Sequence, residues 1–151
     1  MRRSFLKILG FSFVSYLLIP LSSILAATKT LFNKNLTDEQ KDIMFNEGTE
    51  RPFSSELNKE NRKGFYHCAN CGAKLFASTS KFDSGTGWPS FSEALPGAFK
   101  TKVDRKFGMV RTEYHCAKCG VHHGHVFNDG PSTNGKRFCN NGLCLIFKPS
   151  N

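Results

Sequence analysis

The sequence predicts a mainly β fold, an antiparallel β domain with one or two short helices ahead of it. From Phe65 onward the chain consists of short apolar runs broken by Gly, Pro, Asn and Asp, and no long helical period appears there. A helix-start signal precedes that region, and two matching cysteine pairs lie within it. A length of 151 residues suits one domain. The runs expected as strands are Phe65–His67, Lys74–Ala77, Gly108–Tyr114, His125–Phe127 and Leu143–Phe147.

The helix ahead of the strands is predicted from about Asp38 to Phe45. Thr37 can cap its first turn, and Gln40, three residues later, completes a capping box. Ile43 is part of the apolar stripe that this helix would bury. Gly48 stands where a glycine commonly ends a helix in the left-handed conformation.

The first 27 residues resemble a signal peptide. A basic start is followed by an apolar stretch that ends in small residues. The twin arginine, Arg2 and Arg3, indicates export through the Tat machinery, and therefore a periplasmic or exported protein. The alternative is an uncleaved membrane anchor, because the stretch is nearly long enough to span a bilayer. Residues 28–36 then form a polar lead, and residues 37–149 form the domain itself.

The net charge of +9 does not predict a nucleic-acid partner. Three of the positive charges lie in the first seven residues, which hold no acidic residue, so removing them from +9 leaves +6. The remaining basic residues are mixed with acidic ones and form no run, which is typical of a solvated surface. We expect a monomer that binds no nucleic acid. Fifteen Phe residues predict an aromatic-rich core.

Four of the six cysteines form two matching pairs, Cys68-x-x-Cys71 and Cys116-x-x-Cys119, each followed by glycine. Two such knuckles are what a tetrahedral Cys₄ zinc site needs, and we expect one structural zinc ion there. Each knuckle follows a Tyr-His dipeptide, so two similar hairpins should meet at the metal. Two disulfides are the alternative in an exported protein. Zinc alone would also fit a zinc-ribbon binding module, whereas four cysteine ligands leave no open position for a zinc hydrolase.

The residues outside the knuckles indicate catalysis. Cys139 stands apart from the zinc pattern, and Arg137 together with a protonated histidine would lower its pKa toward a reactive thiolate. His122 and His125 are candidates for general-acid work. Trp88 lies in a Gly-rich loop and could form one wall of a pocket that binds a small apolar group.

Five motifs together resemble the type B peptide-methionine (R)-S-oxide reductases over about residues 36–149. The resemblance implies two antiparallel sheets, the R epimer of methionine sulfoxide as substrate, and recycling by a thioredoxin-like donor. The motifs are Gly48-Thr49-Glu50-Arg51-Pro52-Phe53-Ser54, the doubled Cys-x-x-Cys, Ser84-Gly85-Thr86-Gly87-Trp88-Pro89-Ser90-Phe91, His122-x-Gly124-His125-Val126-Phe127 and Arg137-Phe138-Cys139-x-Asn141.

The same resemblance assigns roles to residues. Cys139 matches the nucleophile, which would become a sulfenic acid, and Trp88 matches the residue that receives the substrate methyl group, with Phe127 beside it in the substrate site. The acid that protonates the sulfoxide oxygen would be His125. The polar shell matches His122, His125, Asp129, Arg137 and Asn141.

The chain departs from the family pattern at Thr86, where many members carry a resolving cysteine. Cys144 is the thiol that remains if zinc takes four. Five extended residues would place it roughly 16 Å from Cys139, whereas a disulfide needs Cα atoms within about 7 Å. A turn between the two could close that gap. Cys144 and an external thiol therefore both remain candidates for reducing the sulfenic acid.

Overall fold

The computed structural model describes residues 28–131 and 134–150, so the predicted signal peptide lies outside the described residues. Helix α1 spans Asp38–Asn46 and begins with the predicted capping box. The Thr37 hydroxyl accepts from the Gln40 amide at 3.1 Å, and the Gln40 side chain accepts from the Thr37 amide at 3.0 Å. Within the described ranges no helix is both long and apolar enough to cross a membrane.

The predicted helix end is wrong by one residue. Glu47, not Gly48, adopts the left-handed conformation that closes α1, with φ of 62°. A left-handed turn is unfavourable for a residue with a Cβ. Three lysines offset this backbone cost by forming salt bridges with the Glu47 carboxylate: Lys29 at 3.2 Å, Lys102 at 2.6 Å and Lys106 at 2.8 Å.

Two antiparallel sheets follow the helix, which confirms the predicted fold class. The smaller sheet has the order β2-β1-β9, and the larger has the order β3-β4-β8-β7-β6-β5. The strands are β1 Gly64–Cys68, β2 Lys74–Ala77, β3 Lys81–Phe82, β4 Ser90–Phe91, β5 Phe99–Asp104, β6 Arg111–Cys116, β7 His122–Phe127, β8 Arg137–Asn140 and β9 Leu145–Pro149.

Two predicted strands begin later than expected. The run from Gly108 starts as a 3₁₀ turn and loop, and strand β6 begins at Arg111. The run from Leu143 likewise starts in a 3₁₀ turn over Gly142–Cys144, and strand β9 begins at Leu145. Strand β7 is longer than predicted, since it begins at His122. Strands β3, β4, β5 and β8 were not predicted from any local pattern.

The core between the sheets is aromatic, as predicted. Tyr66, Phe76, Phe91 and Tyr114 are fully buried, and the rings of Phe76 and Phe91 stack with centroids 4.0 Å apart. Burial of each ring stabilises the fold by about 1.5–3 kcal/mol. This packing joins strands of both sheets and so fixes the position of β8 and β7, the strands that carry the site residues.

Candidate functional site

The two cysteine knuckles meet as predicted, where hairpins β1–β2 and β6–β7 approach each other. The four sulfur atoms all lie within 4.8 Å of one another. The Cys68 and Cys119 sulfurs are 3.8 Å apart, and those of Cys71 and Cys116 are 3.6 Å apart. All six cysteines are free thiols, and these separations are far beyond the roughly 2.05 Å of a disulfide.

Local backbone geometry explains why glycine follows each knuckle. Gly72 and Gly120 adopt left-handed φ values of 70° and 75°, and each amide donates back to the first cysteine carbonyl of its knuckle at 2.8 Å. This turn brings both sulfurs of a knuckle to one side. The resulting cluster can hold a metal ion with four thiolates, and such a closed site braces a fold rather than activating a substrate.

Cys139 lies at the centre of the larger sheet, half-buried on β8. Its cross-strand partners are Ser90 on β4 and His125 on β7. Directly opposed residues of antiparallel strands point to the same face, with Cβ atoms about 4.5–5.5 Å apart. The backbones of β7 and β8 approach closely at Gly124, where a Cβ would come within 1.9 Å of the Cys139 carbonyl oxygen.

A pocket of about 140 Å³ opens beside the Cys139 thiol. It contains five of the predicted site residues. The walls of the pocket are Thr49, Trp88, Arg111, Gly124, His125, Phe127, Cys139, Asn140 and Asn141.

The three other predicted site residues, His122, Asp129 and Arg137, lie behind or beside that wall. Arg137 stacks over the Phe127 ring at 4.5 Å and binds both carboxylate oxygens of the exposed Asp129 at 2.9 Å. Asp129 therefore orients Arg137 rather than facing the pocket. His122 is buried, and its Nε2 lies 3.5 Å from the Asn141 side-chain nitrogen.

The expected low pKa of the Cys139 thiol is not found. Burial raises its pKa above the ordinary value, while the charge of Arg137 and a hydrogen bond with Thr86 act to lower it. The thiol is therefore protonated at rest near neutral pH. The Thr86 hydroxyl lies 2.8 Å from the Ser84 hydroxyl, which lies 2.8 Å from that of Ser90, the cross-strand neighbour of Cys139.

His125 is held by an acidic residue on a neighbouring hairpin. Its Nε2 lies 2.8 Å from Asp104 Oδ2, which also accepts from Arg111 at 2.6 Å. Burial acts to raise the Asp104 pKa, but hydrogen bonds from the Lys106 amide, His125 and Arg111 hold that pKa at about 2. Burial lowers the pKa of His125, and Asp104 partly restores it. The Asp104 carboxylate thus fixes which ring nitrogen of His125 remains available.

His122 has an equivalent buried partner in Glu113. Glu113 Oε1 lies 2.6 Å from both His122 Nδ1 and His115 Nε2. Burial acts to raise the pKa of Glu113, but these two histidines lower it well below its usual range. The Glu113 carboxylate therefore orients the His122 ring, and His122 in turn orients Asn141 in the pocket wall.

Trp88 is anchored on the opposite side of the pocket. Its indole nitrogen donates to the Glu50 carbonyl at 3.1 Å. The Glu50 carboxylate is buried and accepts from the amides of Gly142 at 2.6 Å and Leu143 at 2.9 Å. Glu50 therefore connects the Trp88 wall to the segment that follows Cys139 and Asn141.

Comparison with known proteins decides the family. The SelR domain model matches residues 36–149. The chain belongs to the SelR family. A peptide methionine sulfoxide reductase MsrB of Variovorax paradoxus is 58% identical over 66% of this chain and 74% of its own length. The MsrB proteins of Agrobacterium fabrum and Thiobacillus denitrificans are each 49% identical, over 78% and 81% of this chain and over 88% and 93% of their own lengths. SelR membership and these relatives make the chain an oxidoreductase that acts on methionine sulfoxide.

In this SelR domain Cys144 is poorly placed for disulfide exchange. Its side chain is completely buried, its Sγ lies 3.5 Å from the His122 carbonyl oxygen, and burial raises its pKa well above the ordinary value. A buried neutral thiol is a weak nucleophile. Cys144 therefore fills a core position, in the 3₁₀ turn between β8 and β9.

Sequence reasoning missed several residues that line the SelR pocket or support its walls. They are mostly acidic or basic side chains on strands or loops that the sequence did not connect with the pocket. Glu113 left no signal in the sequence, because its contacts with His122 and His115 depend on how β6 and β7 pair. The missed residues are Thr49, Arg111, Gly124 and Asn140 in the lining, and Glu50, Asp104 and Glu113 behind it.

Proposed function

We propose that this chain reduces the R epimer of methionine sulfoxide, with Cys139 as the nucleophile and His125 as the acid. The observation that supports this most directly is the cross-strand pairing of Cys139 with His125 in the wall of one pocket. A thiol and a proton donor on the same face can reach the sulfur and the oxygen of one sulfoxide.

In the proposed reaction the Cys139 sulfur attacks the sulfoxide sulfur as His125 protonates the oxygen. Collapse of that adduct breaks the S–O bond of the substrate and forms an S–O bond at Cys139. The methionine sulfur gains two electrons and the Cys139 sulfur loses two. The sulfenic acid oxygen keeps the proton that His125 donated, and the proton lost by the Cys139 thiol restores His125. Arg137 stabilises the thiolate as it forms, because its charge acts to lower the Cys139 pKa.

Selectivity for one epimer would arise because each of the three substituents on the sulfoxide sulfur has a fixed place in the pocket. The methyl group would pack against Trp88, the oxygen would face His125, and the remainder of methionine would leave through the pocket mouth. Cys139 attacks from the fourth direction, so only one configuration at sulfur suits all three contacts. The Glu50 carbonyl holds the Trp88 ring in place at 3.1 Å.

We further propose that an external thiol, supplied by a thioredoxin-like protein, reduces the Cys139 sulfenic acid. The burial of Cys144 and the presence of Thr86 beside Cys139 support direct attack from outside. The first external thiol forms a mixed disulfide and releases water, and a second thiol of the donor then frees Cys139. Replacing Cys144 with serine should change neither the sulfenic acid yield, measured by mass spectrometry, nor the turnover, measured in the activity assay. A loss of turnover in that variant would restore Cys144 as the resolving thiol.

An NADPH-coupled thioredoxin assay on separated R and S sulfoxide epimers tests the activity. We expect reduction of R alone and its loss in Cys139→Ser. Activity on S alone, or full activity in the variant, would contradict the proposal. The second of these results is what a zinc-ribbon binding module without catalysis predicts.

We propose that the Cys₄ cluster holds one structural zinc ion. Sulfur separations of 3.6 and 3.8 Å suit a tetrahedron with Zn–S bonds of about 2.3 Å, whose edges measure about 3.8 Å. Bound zinc would supply folding free energy and no chemistry at Cys139. Elemental analysis should find one zinc per chain, and chelation should lower the unfolding temperature. Purified protein without zinc that unfolds at the same temperature would contradict this role.

We propose that residues 1–27 direct Tat export, with periplasmic release after cleavage. A chain that loads metal onto thiolates benefits from folding in a reducing compartment before export. Fractionation of cells expressing the full chain should place it outside the cytoplasm, and Arg2→Lys with Arg3→Lys should retain it inside. Persistence of the full-length chain in the membrane fraction would favour the uncleaved anchor instead.

A further inference from the structure

Residues 28–33, which we call the strap, cross both cysteine knuckles. The sequence predicts this segment only as part of a polar lead. Burial of apolar side chains does not hold it, since Leu31 and Phe32 are 49% and 52% exposed. A polar segment ahead of a domain is mobile unless hydrogen bonds or packing tie it down. The order of the strap therefore comes from the hydrogen bonds that it makes with the knuckles.

Asn70, which lies between the two cysteines of the first knuckle, makes three of these bonds. It is 3% exposed. Its Oδ1 accepts from the Phe32 amide at 2.9 Å and from the Asn33 amide at 3.1 Å. Its Nδ2 donates to the Thr30 carbonyl at 2.8 Å. One buried side chain thus satisfies three main-chain groups of the strap, which requires an amide because only an amide offers both an acceptor and donors in this geometry.

The strap also contacts the second knuckle. The Thr30 amide donates to the Cys119 carbonyl at 2.9 Å. At Gly120 an added Cβ would lie 3.0 Å from the Thr28 carbonyl oxygen, so the backbone of the strap packs directly on this turn. Thr30 therefore binds Asn70 of one knuckle through its carbonyl and Cys119 of the other knuckle through its amide.

Side chains near the two ends of the strap attach it to further elements. Lys29 Nζ donates to the Phe45 carbonyl at 2.7 Å and lies 3.2 Å from the Glu47 carboxylate, at the end of α1. A cation suits this position, because the last carbonyls of a helix lack partners within the helix. At the other end Asn33 Nδ2 donates to the Ala69 carbonyl at 3.1 Å, in the first knuckle. The strap is thus held at both ends as well as in its middle.

The two knuckles must move apart before a metal ion can leave the Cys₄ cluster, because each knuckle supplies two of the four sulfurs. Three of the cysteines are at most 1% exposed and one is half-buried: Cys68, Cys116 and Cys119 against Cys71. Bonds that join the knuckles through the strap exist only while the cluster is closed. They therefore lower the population of the opened cluster from which metal escapes.

Building on the proposed zinc site, we infer that the strap retains the metal by holding the two knuckles together, and that Asn70 is the residue that fastens it. The strap contains no Cys, His, Asp or Glu, so this role is separate from ligation. It also lies ahead of residues 36–149, which match the SelR domain, so family membership does not imply it.

The test is the rate at which the zinc-loaded protein releases zinc to an excess of a chromogenic chelator, followed by absorbance. Asn70→Ala removes the three bonds between the first knuckle and the strap. Asn33→Ala changes the strap alone and leaves the knuckle sequence intact. Asn58→Ala is the matched control, because Asn58 Nδ2 likewise donates to a loop carbonyl, that of Gly87 at 3.0 Å, outside both knuckles.

Each hydrogen bond contributes a factor of about two to ten to an equilibrium of this kind. We expect zinc release to be about tenfold faster in Asn70→Ala and about threefold faster in Asn33→Ala. The control should stay within about twofold of the wild type. The double variant should release zinc at about the rate of Asn70→Ala, because the strap is already detached in that variant.

Three results would overturn the role of the strap. The first is a release rate within about twofold of the wild type in both single variants. The second is a faster rate in Asn70→Ala alone, which would place the effect in the turn of the first knuckle. The third is a double variant in which the two single effects multiply, because the residues would then act independently.

Elemental analysis separates this inference from the zinc proposal on which it rests. A wild-type protein that binds no zinc would contradict the zinc site itself. A wild-type protein that binds zinc, with unchanged release from the variants, would overturn the strap alone.

Hydrogen exchange gives a second measurement that needs no metal release. The amides of Thr30, Phe32 and Asn33 each donate to a knuckle, so we expect them to exchange slowly in the zinc-loaded wild type. Asn70→Ala should remove the protection of Phe32 and Asn33. Exchange of these amides at unprotected rates in the wild type would show that the strap is not attached, and would overturn its role in metal retention.

Discussion

Replacing Asp104 with asparagine should shift the pH dependence of catalysis to lower pH. The Asp104 side chain is 5% exposed, and its Oδ2 lies 2.8 Å from His125 Nε2. Its negative charge raises the pKa of His125, whereas burial, Arg111 and His122 lower that pKa. The amide oxygen of the new side chain would still accept from the Lys106 amide, but its NH₂ group would replace Oδ2. The change therefore removes the charge together with the acceptor for His125 and Arg111.

The expected magnitude follows from the loss of a close opposite charge. Such a charge within about 4–6 Å shifts a pKa by about 1–3 units, and Arg111 would face His125 without its counter-charge in the variant. We expect the His125 pKa to fall by about one to two units, which is about 1.4–2.7 kcal/mol. Above that pKa the protonated fraction, and with it kcat, should fall about 10- to 100-fold.

The assay is kcat and KM for the R epimer of N-acetyl-methionine sulfoxide amide from pH 5 to 9. The basic limb of the kcat profile should move to lower pH while KM changes little, since Asp104 does not line the pocket. Asp38→Asn, which removes an exposed charge on α1, should leave the profile in place. A folded Asp104→Asn protein with an unchanged profile, or with a change in KM alone, would refute His125 as an acid tuned by Asp104.

Three other outcomes are expected. Thr86→Cys should form an intramolecular disulfide with Cys139 after one turnover, because Thr86 is linked through the Ser84 hydroxyl to Ser90, which lies opposite Cys139. A sulfenic acid that persists in the variant would contradict this proximity. His123→Leu should raise the free energy of urea unfolding by about 1–2 kcal/mol. The His123 ring is fully buried and neither nitrogen makes a well-formed hydrogen bond, although the Asn140 amide lies nearby. An equal or lower free energy would show that a His123 nitrogen has a hydrogen-bond partner in solution. Asp104 and Glu47 each have a folded-state pKa of about 2, below the usual value near 4, so their stabilisation is present above pH 4 and is lost as pH falls toward 2. Urea titrations at pH 6, 4 and 3 should show that loss, and Glu47→Gln should show a shallower one.

The features that could be predicted from the sequence are those encoded over a few residues. The knuckles and the capping box each depend on spacing within one turn, and the structure confirms both. Strand β5 left no signal because it is an edge strand whose middle residues are exposed on both faces, so no apolar alternation appears. Strand β8 is four residues long, which is too short for a pattern to stand out.

The partners of the site histidines depend on strand register and could not be predicted. Asp104 reaches His125 only because β5, β6 and β7 pair in one register. Glu113 reaches His122 across an irregularity in the β6–β7 pairing. The raised pKa of Cys139 has the same origin, since it results mainly from burial that no local sequence feature reports.

In the proposed mechanism Cys139 takes the oxygen of methionine sulfoxide and keeps it until an external thiol arrives. The most direct test is peptide mass spectrometry of the protein after one equivalent of R sulfoxide without reductant, with a sulfenic-acid trapping reagent. We expect one adduct of the trapping reagent on Cys139, with Cys144 unmodified and no disulfide between them. A Cys139–Cys144 disulfide, or an unmodified Cys139 after methionine has formed, would contradict this mechanism.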